Sequence, residues 1–350
     1  MPSLAPDSLK RLSYTASDLA TIRQLGEYRG REELFQRQRP EVLESLRTLA
    51  LVESTESSNR VEGIEAPRAR VEALLDNAAP RDRSEQEIAG YRDALELVHQ
   101  AWKEMPFATN TVLQLHGMLY RYHAADGGRW KPTDNEIVDK DAKGRIVRVR
   151  FKPTSAIATP QAMEDLVAGT RSSLDGGHDP ILVLPLTVLD FLCIHPFADG
   201  NGRVARLVTL LLLYQAGYQV GRYISLERLV EDSEQTYYET LEASSQSWHE
   251  DRHDPLPWCR YLWGVLLRAY DEYEQRVGQL GTGKGAKSEQ VRAAVRRKVV
   301  PFKISELERE CPGIGRDSIR RVLRQMRDEG EVVVEGTGRG AKWRLVVKGP

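Results

Sequence analysis

Apolar positions recur at a spacing near 3.6 residues through most of the chain up to about residue 280, a pattern that predicts a mainly helical body. Helices are expected near residues 17–37, 40–61, 66–78, 85–104, 109–123, 160–174, 180–194, 201–216, 231–247 and 256–278. The longest apolar stretch, from Ile181 to Ile194, is interrupted by Pro185 and Asp190 and is too short to span a bilayer, so it reads as a buried helix. One segment departs from the helical period. Within NEIVDKDAKGRIVRVRF two β-prone runs, 136–139 and 146–151, flank a turn at Lys143 and Gly144, which is a hairpin signal. A lone hairpin needs something to pack on.

Residues 281–287, GTGKGAK, are small and polar with no large apolar side chain, which is linker composition. After them come helical patterns near 288–299, 304–310 and 316–329, then β-prone runs at 331–335 and 342–347 separated by GTGRGA. Three helices followed by a two-stranded wing is the winged-helix order. The predicted organisation is therefore an N-terminal helical region at 1–84, a core at 85–278, a linker at 279–287 and a winged-helix-like domain at 288–350.

A length of 350 residues suits two or three such units. Lys and Arg number 50 against 51 Asp and Glu, so no net field draws the whole molecule to nucleic acid or lipid. Charge is uneven along the chain, however: from residue 281 on, 17 basic residues stand against 9 acidic ones. The three cysteines, Cys193, Cys259 and Cys311, are few and scattered, which argues against a disulfide framework and a structural zinc. The first twenty residues lack the apolar core of a signal peptide. A cytoplasmic protein with no membrane partner is expected.

The chemistry concentrates in one run, His195-Pro196-Phe197-Ala198-Asp199-Gly200-Asn201-Gly202-Arg203-Val204-Ala205-Arg206, between two apolar helices. Pro196 disfavours helical geometry at His195, so the first helix should end there. Gly200 and Gly202 remove side-chain bulk where the next helix starts, and unpaired N–H groups at a helix start make an anion site. Arg203 and Arg206, three apart, are positioned to face the same anion. Asp199 supplies a hard oxygen suited to Mg²⁺, and His195 has the ordinary pKa of a base that works near neutrality. A polyphosphate fits these groups.

The run resembles the signature of the Fic family, His-Pro-Phe-x-Asp/Glu-Gly-Asn-Gly-Arg-x-x-Arg, at every fixed position. The hairpin is similar to that family's flap, and Tyr237 to Ala243 resembles its Tyr-Tyr segment; the likeness covers roughly residues 40–270. It implies a Fic-type helical bundle with a β-hairpin flap, here joined to a small α+β winged-helix domain. It also implies transfer of AMP from ATP, with Mg²⁺, to a hydroxyl of a target protein or of the protein itself. His195 would then be the general base and Asp199 the Mg²⁺ ligand. Gly200, Asn201 and Gly202 would cradle the phosphates, Arg203 and Arg206 would hold the β and γ groups, and Tyr237 and Ser245 would border the nucleotide. The flap would register the target by strand addition.

Ser58-Asn59-Arg60-Val61-Glu62-Gly63 ends a helix, and Gly63 suits a left-handed cap. This segment looks like the Fic inhibitory motif, Ser/Thr-x-x-x-Glu-Gly/Asn. The resemblance implies that Glu62 pairs with Arg206 and keeps it from the γ-phosphate, by competition of two anions for one guanidinium. It leaves removal of AMP by the same site open, and a homodimer burying this segment would be a means of control. Two positions depart from the family pattern and bear on the adenosine pocket: Lys131, where arginine is common, and Ser245, where asparagine is common.

His249-Glu250-Asp251-Arg252-His253 matches HExxH, but Asp254-Pro255 ends any helix there, so a zinc site is not expected. Residues 278–285 nearly match a P-loop but follow a helix rather than a strand and lack the final Ser or Thr. His116 and His123 read as packed or surface side chains. Arg316, Arg320, Arg321, Arg324 and Arg327 lie on and around the third helix of the tail, and Arg339 lies in its wing, a pattern suited to DNA phosphates or to a protein surface. The rival reading is thus a DNA-binding regulator whose helical body senses a nucleotide. The complete run of histidine, carboxylate and two arginines favours the enzyme.

Overall fold

The computed structural model describes residues 1–38, 40–123, 127–140, 145–279, 286–296, 298, 301–311, 314–336 and 341–346. Among these residues there are fifteen α-helices and two antiparallel hairpins, the mainly helical fold that the apolar spacing predicts. The chain forms two compact units, Met1–Arg31 with Ala50–Ala269, and Glu32–Leu49 with Tyr270–Pro350.

In chain order the elements are α1 (Pro6–Arg11), α2 (Ala16–Gln38), α3 (Pro40–Arg60), α4 (Arg68–Leu75), α5 (Arg83–Ala101) and α6 (Thr109–Leu119), then the hairpin β1 (Ile137–Lys140) and β2 (Ile146–Phe151). They continue with α7 (Thr159–Asp175), α8 (Pro180–Ile194), α9 (Asn201–Gln215), α10 (Leu226–Glu231), α11 (Glu234–Ser245) and α12 (Leu256–Gln279). The tail holds α13 (Ala286–Arg296), α14 (Ile304–Glu310), α15 (Arg316–Asp328), β3 (Val332–Glu335) and β4 (Lys342–Leu345). The helix expected at 231–247 is α11, and the short α10 before it was not expected; the two are parted at Ser233, whose hydroxyl donates back to the Leu229 carbonyl at 2.7 Å. The short α1 was not expected.

The first unit is organised around α8, in which every residue from Ile181 to Ile194 except Leu182 is buried. Asp179 caps its start by accepting from the Ile181 N–H at 2.9 Å, and Pro180 sits at the first position, where a missing N–H is harmless. Pro185 removes the hydrogen bond that the Ile181 carbonyl would receive, and the indole N–H of Trp263 takes its place at 2.9 Å. Trp258 likewise donates to the Pro185 carbonyl at 2.9 Å, so α12 repairs the helix it packs on. Helix α9 returns beside α8 with Leu207, Val208, Leu210, Leu211 and Tyr214 buried. The loop between these two helices is therefore held at both ends by core packing.

In the flap, Ile137 pairs with Phe151, Val138 with Val149 and Asp139 with Arg148, with irregularities on either side of the Val138–Asp139 pairs. Its expected turn at Lys143 and Gly144 lies outside the described residues. Asp139 forms ion pairs with Arg148 and Arg150 across the hairpin, and Arg148 also pairs with Glu242 of α11, which gives the hairpin the support it needs.

Within the second unit, the segment from Ala286 on shows three helices followed by a hairpin, in the order expected. Val291, Phe302, Leu307, Leu323, Met326, Val332 and Trp343 are among its core residues. Phe302 and Trp343 exchange backbone hydrogen bonds at 2.8 and 2.7 Å, which ties the segment before α14 to β4. Of the expected linker, residues 280–285 lie outside the described residues, as does Arg339, while residues 286 and 287 belong to α13.

Candidate active site

Helix α8 ends at His195, whose backbone is left-handed (φ 50°), a conformation unusual for a residue with a side chain. Its N–H still donates to the Phe191 carbonyl at 2.9 Å, so the imidazole is fixed at the mouth of the helix. Burial, with the Lys131 ammonium nearby, pushes its pKa down to about 4, so the ring is neutral at pH 7. A neutral imidazole has a lone pair with which to accept a proton.

The loop that follows is stitched from several sides. Asn201 accepts from the Phe197 N–H at 2.9 Å and donates to its carbonyl at 2.8 Å. The Asn201 side chain thus closes the turn. Phe197 is fully buried and stacks on His116, with centroids 3.7 Å apart and planes 1° apart. His116 Nδ1 accepts from the Gly128 N–H at 2.8 Å, so the ring proton sits on Nε2 and is donated to the Asp199 carbonyl at 3.1 Å. Burial holds its pKa near 4 and keeps that single tautomer.

Lys131 lies under the same loop. Its Nζ donates to the Ile194 carbonyl at 3.1 Å and to Asn135 Oδ1 at 2.9 Å, while its backbone N–H donates to the Pro196 carbonyl at 2.8 Å. Asn135 Nδ2 donates in turn to the Phe197 carbonyl at 3.1 Å. The Lys131 ammonium thus supplies a donor at the C-terminus of α8. Ser245, the other departure, does line the open cleft.

Gly200 is left-handed (φ 80°), and its N–H donates to Asp199 Oδ1 at 2.7 Å. The Asp199 side chain is 64% exposed, and its Oδ2 is 3.9 Å from Arg203 Nη2. The carboxylate thus keeps access to solvent. Arg203 is buried: its Nη1 lies 2.7 Å from Glu87 Oε2, and Nη2 donates to the Tyr120 hydroxyl at 3.1 Å. Arg206, one turn on, has other partners. Its Nε donates to Ser58 Oγ at 2.8 Å, and Nη2 donates to the Ser58 carbonyl and to Glu62 Oε1, both at 2.8 Å. Burial opposes the Arg206 charge, but Glu62, Tyr237 and Tyr91 more than offset it and raise its pKa.

Gly63 adopts the left-handed conformation (φ 72°) expected of a helix cap, and the Ile64 N–H returns to the Asn59 carbonyl at 2.9 Å. The chain turn so formed sets the Glu62 carboxylate over the start of α9. A Cβ at Gly202 would collide with Glu62 Oε1. Only a glycine leaves room there, whether for this carboxylate or for another anion.

A cleft of about 660 Å³ gathers His195, Gly202, Tyr237 and Ser245 with Glu62, Tyr238 and the flap residues Ile137, Val138, Arg150 and Phe151. That volume lies in the range of small-molecule sites. A second void, about 40 Å³ and apolar, lies among α8, α9 and α12 and is too small for a nucleotide. His249 and His253 do not converge: the first meets the Lys152 carbonyl, the second Ser3 Oγ, and no metal-binding cluster occurs among the described residues. All three cysteines are free and buried, and no helix is long and apolar enough to cross a membrane among the described residues.

Residues 106–213 match the profile of the Fic/DOC family, so the chain carries a Fic domain, and its signature run is the loop just described. The relatives agree. The chain is 25% identical over 230 residues to a protein adenylyltransferase Fic of Nematostella vectensis, a match covering 62% of this chain and 47% of that protein. The chain thus spans about half the length of this curated relative. A crystal structure of a Fic family protein from Desulfovibrio desulfuricans superposes with a TM-score of 0.64 at 20% identity, over 97% of this chain and 98% of that one. A Fic domain containing signaling protein from Bacteroides thetaiotaomicron gives 0.60 at 21% identity, over 74% and 97%. These likenesses establish a Fic fold.

Sequence reasoning passed over Glu87, Tyr120 and Asn135 and set His116 aside. The signal available for the last was its apolar helical setting, which is the same for a packed histidine and for one that aims a loop.

Proposed function

We propose that the protein transfers AMP from ATP to a hydroxyl side chain of a target protein, or of itself, and that Glu62 restrains the reaction by occupying Arg206. The observation that carries this reading is the convergence of His195, Gly202, Tyr237 and Ser245 on one cleft whose anion position is filled by the Glu62 carboxylate. In the reaction the target oxygen forms a bond to the α-phosphorus, the bond from that phosphorus to the bridging oxygen breaks, and pyrophosphate leaves. His195, neutral at pH 7, takes the proton from the attacking hydroxyl. The N–H groups at the start of α9 and a released Arg206 hold the triphosphate. The exposed carboxylate of Asp199 suits a hard cation such as Mg²⁺, which would neutralise phosphate charge.

The flap supports target binding as an added strand: Ile146, Val147 and Val149 of β2 are exposed, an apolar edge on a short hairpin. A second reading concerns the tail, a winged-helix-like unit engaging DNA. Helix α15 buries Ile319, Val322, Leu323 and Met326 and exposes Arg316, Arg320, Arg321, Arg324 and Arg327, a basic face suited to phosphates.

The test is labelling with ATP carrying radioactive α-phosphate. Glu62→Gly should raise incorporation about tenfold or more over wild type, since it frees one bidentate cation. His195→Ala in that background should abolish incorporation while leaving ATP binding by calorimetry within about threefold. Equal labelling by wild type and Glu62→Gly would remove the brake, and undiminished turnover without His195 would remove the base.

A further inference from the structure

Glu227, at the start of α10, is a carboxylate with 1% exposure that lines no part of the open cleft and takes no part in the proposed reaction. It is nonetheless well supplied with donors. Ser54 Oγ lies 2.7 Å from its Oε2, the Tyr91 hydroxyl donates to Oε1 at 3.0 Å, and Ser225 Oγ lies 3.4 Å from Oε2. Ser225 also caps α10 by accepting from the Arg228 N–H at 3.0 Å, so Glu227 is fixed to a capped helix start. A buried carboxylate persists only where such donors replace water.

One of these contacts, Ser54, lies on α3. Ser54 and Ser58 share one side of α3 by their four-residue spacing, and Glu62 follows in the turn just beyond its end, so the three form one polar stripe. Ser54 reaches Glu227, whereas Ser58 and Glu62 reach Arg206. Tyr91 of α5, fully buried, bridges the two halves, because it donates to Glu227 and is also hydrogen-bonded with Ser58. The stripe thus ends at a carboxylate on one side and at a guanidinium on the other.

We infer that Glu227 is a positioning residue that anchors the inhibitory stripe of α3, so that the strength of the Ser58 and Glu62 grip on Arg206 depends on a carboxylate outside the cleft. The inference rests on the reading of Glu62 as a brake. Removing one acceptor oxygen takes the charged acceptor from Ser54 and leaves it only the neutral Ser225 Oγ at 2.9 Å, which weakens the hold of α10 on α3 and favours movement of α3 away from it. Such movement draws Ser58 and Glu62 from Arg206 with it.

The experiment compares the full chain with Glu227→Gln, which keeps side-chain volume but puts an amide NH₂ where a carboxylate oxygen accepts, alone and combined with Glu62→Gly. Hydrogen exchange should quicken at amides 54–62, and labelling by ATP should rise roughly threefold or more in the wild-type background. In the Glu62→Gly background the same substitution should change labelling by less than about 1.5-fold, because the contact it loosens is already gone. Unchanged exchange at 54–62, or an equal labelling factor in both backgrounds, would overturn the inference, the second being the mark of a merely structural role. Faster exchange with no labelling by any variant upholds the anchor and sinks the transferase reading instead, so the two failures are distinct. Should Glu227→Gln not fold, Ser54→Ala removes one donor of the stripe and should show the same pattern at smaller amplitude.

Discussion

Arg203 and Arg206 stand one turn apart on the same helix, both nearly inaccessible to solvent, and yet their surroundings differ in kind. Arg203 is held by Glu87, itself 3% exposed, and by the Tyr120 hydroxyl, within packed helices on every side. Arg206 is held by Glu62, 28% exposed, from the turn beyond the end of α3 at the border of the open cleft. The first partner can leave only if the core opens; the second can be displaced by any anion that enters the cleft and matches the guanidinium fork. Two identical side chains are thus divided into a permanent strut and an exchangeable ligand by what surrounds their partners.

That contrast is open to direct attack. Glu87→Ala should strand a buried guanidinium and cost about 3–5 kcal/mol of stability, read as a large fall in the urea midpoint. Removing the partner of Arg206 should cost far less: Glu62→Gly is expected to change stability by about 1 kcal/mol or less, since solvent reaches that carboxylate and Ser58 continues to hold the guanidinium. Similar losses in the two variants would erase the distinction between strut and ligand. A second buried carboxylate sharpens the comparison, because the donors to Asp190 of α8, Ser3 and Trp248, carry no charge. Burial raises its pKa from 3.8 to about 6. The folded state therefore keeps a proton that the unfolded chain has released, and this contribution to stability is full below about pH 3.8 and is lost as pH rises through about 6. Asp190→Asn should remove that dependence, so its stability relative to wild type should improve between pH 4 and 7; a constant difference across that range would show that Asp190 does not titrate there.

Much of the molecule was legible beforehand, for identifiable reasons. Helices such as α8 and α9 are long apolar runs with proline or glycine at their ends, and local signals of that kind need no tertiary help. The hairpin is an isolated β-prone pair with a turn between, and the tail follows the spacing of its own small core. The break between α10 and α11 was not legible, because Ser233 is as compatible with helix as with a cap until its hydroxyl finds the Leu229 carbonyl. The partner of Lys131 was not legible for a similar reason: a lysine after Gly-Gly-Arg-Trp gives no sign that its ammonium will meet a carbonyl more than sixty residues further on.

From the chain of residues alone came the kinds of groups and their order: an imidazole, a carboxylate, two glycines and two guanidiniums within twelve positions, and a serine and a glutamate four apart well upstream. Those are short-range facts, and spacing of three or four residues on a helix has one spatial meaning. Which guanidinium meets Glu62, which is sealed against Glu87, and that Glu227 stands behind Ser54 were decided by how α3, α5, α9 and α10 pack. Partners separated by more than a hundred residues are chosen by burial, because a charge taken out of water is stable only where the fold brings its counterpart.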